Sequence, residues 1–147
     1  MKYIRKELLN RVLSIDYGNK RIGLAVSDPL QIIAKPYETI SNESNDQVIK
    51  MLNEIIIEKN IVKIIIGLPL TLKGEKSKQT LETLKFVDFV KEKINIEVET
   101  YDERLSSIQA KNSLVMQGIK TGHNKGDVDQ TAAALFLQGY LDGLSSK

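Results

Sequence analysis

The spacing of apolar positions changes along the chain. Val12, Leu13 and Ile15 form a short apolar run that ends at Asp16. Ile22, Leu24 and Val26 then alternate with Gly23, Ala25 and Ser27. That period of two predicts a strand with one bulky face and one small face. Between the two runs, Tyr17-Gly18-Asn19-Lys20 reads as a turn, because Gly and Asn both tolerate positive φ. Strands this close in sequence pair antiparallel as a hairpin. Gln31 to Ile40 predicts a third strand, interrupted or placed at an edge by Pro36.

After Ser44 and Asn45, either of which can cap a helix, the period lengthens. Val48, Leu52, Ile55 and Ile56 share one face of a helix that runs to about Lys59. Ile61 to Ile66 is continuous and β-branched, the mark of a strand covered on both faces. Gly67 to Gly74 reads as a loop. Lys76 to Lys93 predicts a second helix, with Leu81, Leu84, Val87 and Val90 as its apolar stripe. Ile96, Val98 and Thr100 predict a fifth strand. A helix from about Ser106 to Gln117, a loop from Gly118 to Gly126 and a last helix from Asp127 to Leu141 follow. The order is β-β-β-α-β-α-β-α-α. It describes an α/β fold: a three-strand antiparallel meander plus two parallel strands, joined by right-handed helical crossovers, in one mixed five-stranded sheet flanked by helices. A length of 147 residues suits one domain, residues 1–147.

Composition narrows the chemistry. The chain has no Cys, which excludes a disulfide scaffold, a thiolate zinc site, an iron–sulfur cluster and a cysteine nucleophile. Its single His excludes a multi-histidine metal centre. Lys and Arg number 21 and Asp and Glu 19, a net charge of +2, so the placement of charge matters more than its sum. The start carries Lys2, Arg5, Lys6 and Glu7 with no apolar run behind them, and the most apolar stretch, Ile61 to Leu70, is too short to span a bilayer. A cytoplasmic protein with no membrane partner is expected.

Three acids punctuate element ends. Asp16 closes the first strand, where a buried carboxylate needs a partner. Glu103 follows the fifth strand, in Tyr101-Asp102-Glu103-Arg104. Asp129 lies in the first turn of the last helix, in Asp127-Val128-Asp129-Gln130. Taken singly, each has a plain explanation: a hairpin aspartate, a solvated loop, an acid favoured by the helix dipole. Taken together, they fall where sites gather in open α/β sheets, beyond the carboxyl ends of strands. Three converging carboxylates make a hard-oxygen site suited to Mg²⁺ or Mn²⁺. Such ions can activate water for phosphodiester cleavage without a side-chain nucleophile. Lys20, Arg21, Lys73, Arg104 and Lys125 flank the acids in loops, where cations position a polyanion. Gly67 and Gly74 bound the loop that carries Lys73, where backbone can approach a phosphate closely. Tyr17 and Tyr101, beside two of the acids, are candidate base-stacking residues, and core packing explains them nearly as well. His123 reads as a plain surface histidine. No Walker motif and no G-x-G-x-x-G occur.

The run Ile15-Asp16-Tyr17-Gly18-Asn19-Lys20-Arg21-Ile22-Gly23-Leu24-Ala25-Val26-Ser27-Asp28-Pro29 resembles the opening of the YqgF (RuvX-like) family of bacterial proteins. So do Gly67-Leu68-Pro69-Leu70, Asp102-Glu103-Arg104-Leu105-Ser106-Ser107 and Asp129-Gln130-Thr131-Ala132-Ala133, in the family's order. The resemblance implies an RNase H-like fold. It implies a nuclease, either one that matures the 5′ end of the 16S ribosomal RNA precursor or a Holliday junction resolvase acting on four-way DNA. It carries the family's acids onto Asp16, Glu103 and Asp129 as catalytic residues and metal ligands. The segment Thr121 to Gly126 is less basic than the family's Lys/Arg-rich counterpart, and Asp127 is an additional acid. The expected partner is therefore nucleic acid, pre-rRNA or branched DNA, met by a monomer or a homodimer. A non-catalytic nucleic-acid binding or ribosome assembly factor is the alternative of another class. A phosphotransferase of the sugar-kinase and actin type, whose first strand ends in a similar turn, would need two such domains.

Overall fold

A computed structural model describes residues 10–106 and 125–145, with residues 125–129 and 145 described by their backbone. Five strands form one sheet in the order β3-β2-β1-β4-β5. β1 (Arg11–Tyr17), β2 (Arg21–Ser27) and β3 (Ala34–Ser41) are the antiparallel meander. β4 (Ile61–Leu68) joins β1 in parallel, and β5 (Glu97–Asp102) joins β4 in parallel. Helix α1 (Asn45–Lys59) connects β3 to β4, and α2 (Lys78–Lys93) connects β4 to β5. A 3₁₀ turn, Glu103–Leu105, follows β5, and α3 (Lys125–Ser145) closes the described chain. The expected helix near Ser106–Gln117 and the loop bearing His123 lie outside the described residues.

The two faces of β2 explain the layering. Its bulky side chains, Ile22, Leu24 and Val26, enter a core with Leu13, Ile15, Ile64 and Ile66, covered by Val48, Leu52 and Ile55 of α1 and Phe86, Val87 and Val90 of α2. Its small side, with Ala25, faces α3, and Val12, Ala34 and Ile65 meet Ala133, Ala134, Phe136 and Leu137 there. Small residues let the helix lie close to the sheet. Ile64, Ile65 and Ile66 are all fully buried, as a strand covered on both faces requires, and each such side chain contributes about 1.5–3 kcal/mol.

Local signals end the elements where expected, with some shifts. Ser44 caps α1, its hydroxyl accepting from the Gln47 N–H, and Asn60 ends it in the left-handed conformation at φ 56°. In α2 the start moves to Lys78, because Ser77 and Thr80 form a reciprocal capping box. Its buried face is Thr80, Thr83, Phe86, Val87 and Val90, whereas Leu81 is half exposed. Of the expected stripe Val87 and Val90 are buried, and Leu81 turns outward because two threonines and a phenylalanine face the sheet. β3 begins at Ala34 rather than Gln31, since Asp28 Oδ1 accepts from the N–H groups of Ile32 and Ile33 and folds that stretch into a turn. The β1–β2 turn holds a further correction. Neither Gly18 nor Asn19 has positive φ. A Cβ on Gly18 would instead sit 2.5 Å from the Arg21 carbonyl oxygen, so the glycine supplies room.

Candidate active site

β1, β4 and β5 run parallel, so their carboxyl ends share one edge of the sheet. Asp16 is the penultimate residue of β1, paired with Gly23 across the hairpin and following fully buried Ile15. Glu103 begins the 3₁₀ turn directly after β5, whose last residue, Asp102, pairs with Leu68 at the end of β4. The two acids therefore sit at the same edge, two strand spacings across and two residues along, roughly 12 Å apart by backbone. Glu103 is half-buried, and burial raises its carboxyl above the usual glutamate range, with the neighbouring Asp102 carboxylate adding to the shift.

Asp129 reaches this edge through a contact the sequence did not advertise. Ser14, fully buried between Leu13 and Ile15, donates its hydroxyl proton to the Ala133 carbonyl at 2.8 Å. At the other end of α3, Gln138 accepts from the Ala34 N–H at 2.9 Å and donates to the Ile32 carbonyl at 3.0 Å. Ala34 lies beside the amino end of β1 through its pairing with Ser27, so α3 runs antiparallel to β1. Asp129 precedes Ala133 by one helical turn, about 6 Å. Asp16 follows Ser14 by two strand residues, about 6.6 Å. The backbone of Asp129 thus stands level with Asp16. Ser14 and Gln138 are the residues that sequence reasoning missed. The one available signal was a serine set inside the apolar run Val12-Leu13-Ser14-Ile15. Among the described residues, no three histidine or acidic side chains gather as a metal cluster, and the side chain of Asp129 is outside that set.

Other candidates at this edge turn out to be committed to packing. Tyr17 stacks on Phe86, with centroids 4.4 Å apart and planes at 26°. Tyr101 meets Tyr140 edge to face at 6.3 Å. Gly67 is buried under the Phe136 ring, whose Cζ would lie 2.6 Å from an added Cβ, so its bareness serves an aromatic side chain and not a phosphate. Lys20 and Lys73 are exposed, and Arg21 is half-buried at the start of β2. Lys125 opens α3. Arg104 is exposed and held by Asp102, its Nη2 2.6 Å from Oδ2. On the α2 side of the same edge lies an open cleft of about 420 Å³ lined by Tyr17, Gly18, Asn19, Lys78, Gln79 and Glu82.

The family described as "RuvX: Holliday junction resolvase" matches residues 10–143. A "Putative pre-16S rRNA nuclease" of Sulfurihydrogenibium sp. is 42% identical over 139 residues, 93% of each chain. One of Desulforamulus reducens is 38% identical over 132 residues, 90% of this chain and 96% of the relative. Among solved structures, Thermus thermophilus RuvC in complex with Holliday junction substrate superposes with a TM-score of 0.60 at 12% identity, covering 92% of this chain and 95% of that one. The yeast mitochondrial Holliday junction resolvase Ydc2 gives 0.54 at 12% identity, covering 95% and 84%. These two likenesses establish the fold, which is that of the RuvC-like resolvases.

Proposed function

The chain belongs to the RuvX family, whose members are hydrolases of phosphodiester bonds, and from that premise we propose that it is a metal-dependent endonuclease acting on the 5′ region of pre-16S ribosomal RNA. The observation that carries this reading is the shared edge: Asp16 and Glu103 at the carboxyl ends of parallel strands, with α3 docked so that Asp129 stands level with Asp16. The donor set is all carboxylate, which fits a hard divalent ion and fits poorly with zinc or copper. Mg²⁺ or Mn²⁺ held by Asp16, Glu103 and Asp129 would supply an activated water and charge neutralisation at the scissile phosphate. Lys20, Arg21, Lys73 and Lys125 hold the flanking phosphates and fix the register of the strand.

A second reading, cleavage of four-way DNA, is favoured by the family description and by the resolvase fold. Cleavage of a pre-16S RNA fragment, single-stranded RNA and a four-way DNA junction, run in parallel with Mn²⁺, decides between them. Cutting of the RNA precursor alone supports the first reading; cutting of the junction alone replaces it with the second. Binding without cleavage of any of the three would leave a non-catalytic factor. Among the described residues no helix is long and apolar enough to cross a membrane.

Affinity for nucleic acid is expected to fall steeply with salt. With about three to five phosphate contacts, log K falls against log salt with a slope of roughly −3 to −4.5 on duplex. A titration from low to moderate salt measures it, and a slope near zero removes the lysines and arginine from the interface.

A further inference from the structure

The segment between β4 and α2 is a small built turn. Leu70 bridges Lys76 antiparallel. The Thr71 N–H donates to the Glu75 carbonyl at 3.0 Å, the Gly74 N–H to the Thr71 carbonyl at 2.8 Å, and the Glu75 N–H to the Thr71 hydroxyl at 3.0 Å. At its tip Leu72 is 94% exposed, beside exposed Lys73. Holding a leucine out in water on an ordered turn does nothing for the fold, which gains only by burying apolar surface. Across from the turn, Arg104 forks onto Asp102: Nε is 3.0 Å from both carboxylate oxygens and Nη2 is 2.6 Å from Oδ2. The remaining terminal nitrogen, Nη1, donates to the Leu72 carbonyl at 3.3 Å. Gly74, at φ +83°, leaves the space that this guanidinium fills, since a Cβ there would be 3.2 Å from Nη1. The Asp102 oxygen also accepts from the Arg104 N–H, so the same pair pins the 3₁₀ turn that begins at Glu103.

We propose that Asp102 and Arg104 form a bolt that presets the 70–76 turn as a nucleic-acid contact beside Glu103, so that Arg104 is a positioning residue and not a phosphate ligand. The turn then offers Lys73 and Lys76 to phosphates and Leu72 to the apolar faces or edges of bases, a mixed chemistry that a polyanion with exposed bases satisfies. Lysine cannot reproduce the bolt, because a guanidinium reaches two carboxylate oxygens and a carbonyl from one rigid plane and an ammonium does not. The contact half of this proposal rests on the function proposed above; the bolt itself does not.

The test uses Asp102→Asn and Arg104→Lys in the full chain, with hydrogen exchange and binding of a fluorescent pre-16S RNA fragment in parallel. Both residues are solvent-accessible, so neither change threatens the core. The bolt predicts that the amides of Gly74 and Glu75 exchange faster in both variants. Affinity should fall about five- to tenfold in both, because an unpinned turn must be ordered on binding. The salt slope should stay within about 0.5 of wild type, since no phosphate contact has been removed. A phosphate role for Arg104 predicts the reverse: Asp102→Asn binds as well as wild type or better, and neutralising Arg104 with Arg104→Gln lowers the slope by about 1. That result, or unchanged exchange in both variants, overturns the proposal. If the wild type binds no nucleic acid, the proposed function and the contact role fail, and the exchange arm still decides the bolt.

Discussion

Replacing Asp16 with Asn is expected to abolish cleavage while leaving the fold and most of the binding in place. Asp16 is held in register by Gly23 across the hairpin and follows a fully buried isoleucine, so its backbone cannot drift from the edge it occupies. Asn has nearly the same shape, and packing should survive. It lacks the charge that draws a hard divalent ion. With no Cys and one His in the chain, no other group takes over the activation of water. The loss should reach about 10³-fold or more in single-turnover cleavage with Mn²⁺, the scale on which essential electrostatic groups act. Binding of the same substrate, measured beside it, should change little and should tighten slightly as carboxylate repulsion is relieved. A variant that cleaves at the wild-type rate would reduce Asp16 to a turn residue.

The second large effect falls on stability. Gly67→Ala places a methyl 2.6–3.0 Å from three atoms of the Phe136 ring. That ring is 2% exposed and wedged between α3 and the sheet, so it cannot swing away. Overpacking of this kind costs about 1–3 kcal/mol, or a Tm lower by roughly 3–10 °C in a chain of this size. Trimming the ring with Phe136→Leu in the same chain should recover part of the loss, because the two sites share one space. Thermal and urea unfolding of the two single variants and the double variant give the coupling. Simple additivity would show that Gly67 is not the ring's seat.

The sheet was legible because its signals are local and redundant. Alternation in β2, the isoleucine run of β4 and the cap at Ser44 each name their element without help from the rest of the chain. What could not be read was tertiary. Leu81 carries the helical period of α2, yet Thr80 and Thr83 face the sheet, since the capping box and the chain's entry angle set the rotation of the helix. Of the candidate site, the strand-end positions of Asp16 and Glu103 followed from the pattern. Ser14 was hidden because its partner lies 119 residues away. The neighbours of Gly67 and Arg104 were hidden for a related reason. Residue type suggested phosphates for both, and the structure sets a phenylalanine ring against the first and an aspartate beside the second.

The long reach from Ser14 to Ala133 also sets a timetable. The face of the sheet that carries Val12, Ala25, Ala34 and Ile65 is covered, among the described elements, by α3 alone. During synthesis the meander, α1 and β4 can begin to pack on their own side as they emerge. Among the described elements, the other side gains its cover only when residues 125–145 arrive, some 110 codons after Ser14, or roughly 5–20 s at ordinary elongation rates. Throughout that interval Asp129 does not yet exist beside Asp16. The nascent chain is therefore made with one apolar sheet face waiting for its helix and with Asp16 and Asp129 still apart. Such latency suits a protein proposed to cut the RNA of the machine that makes it.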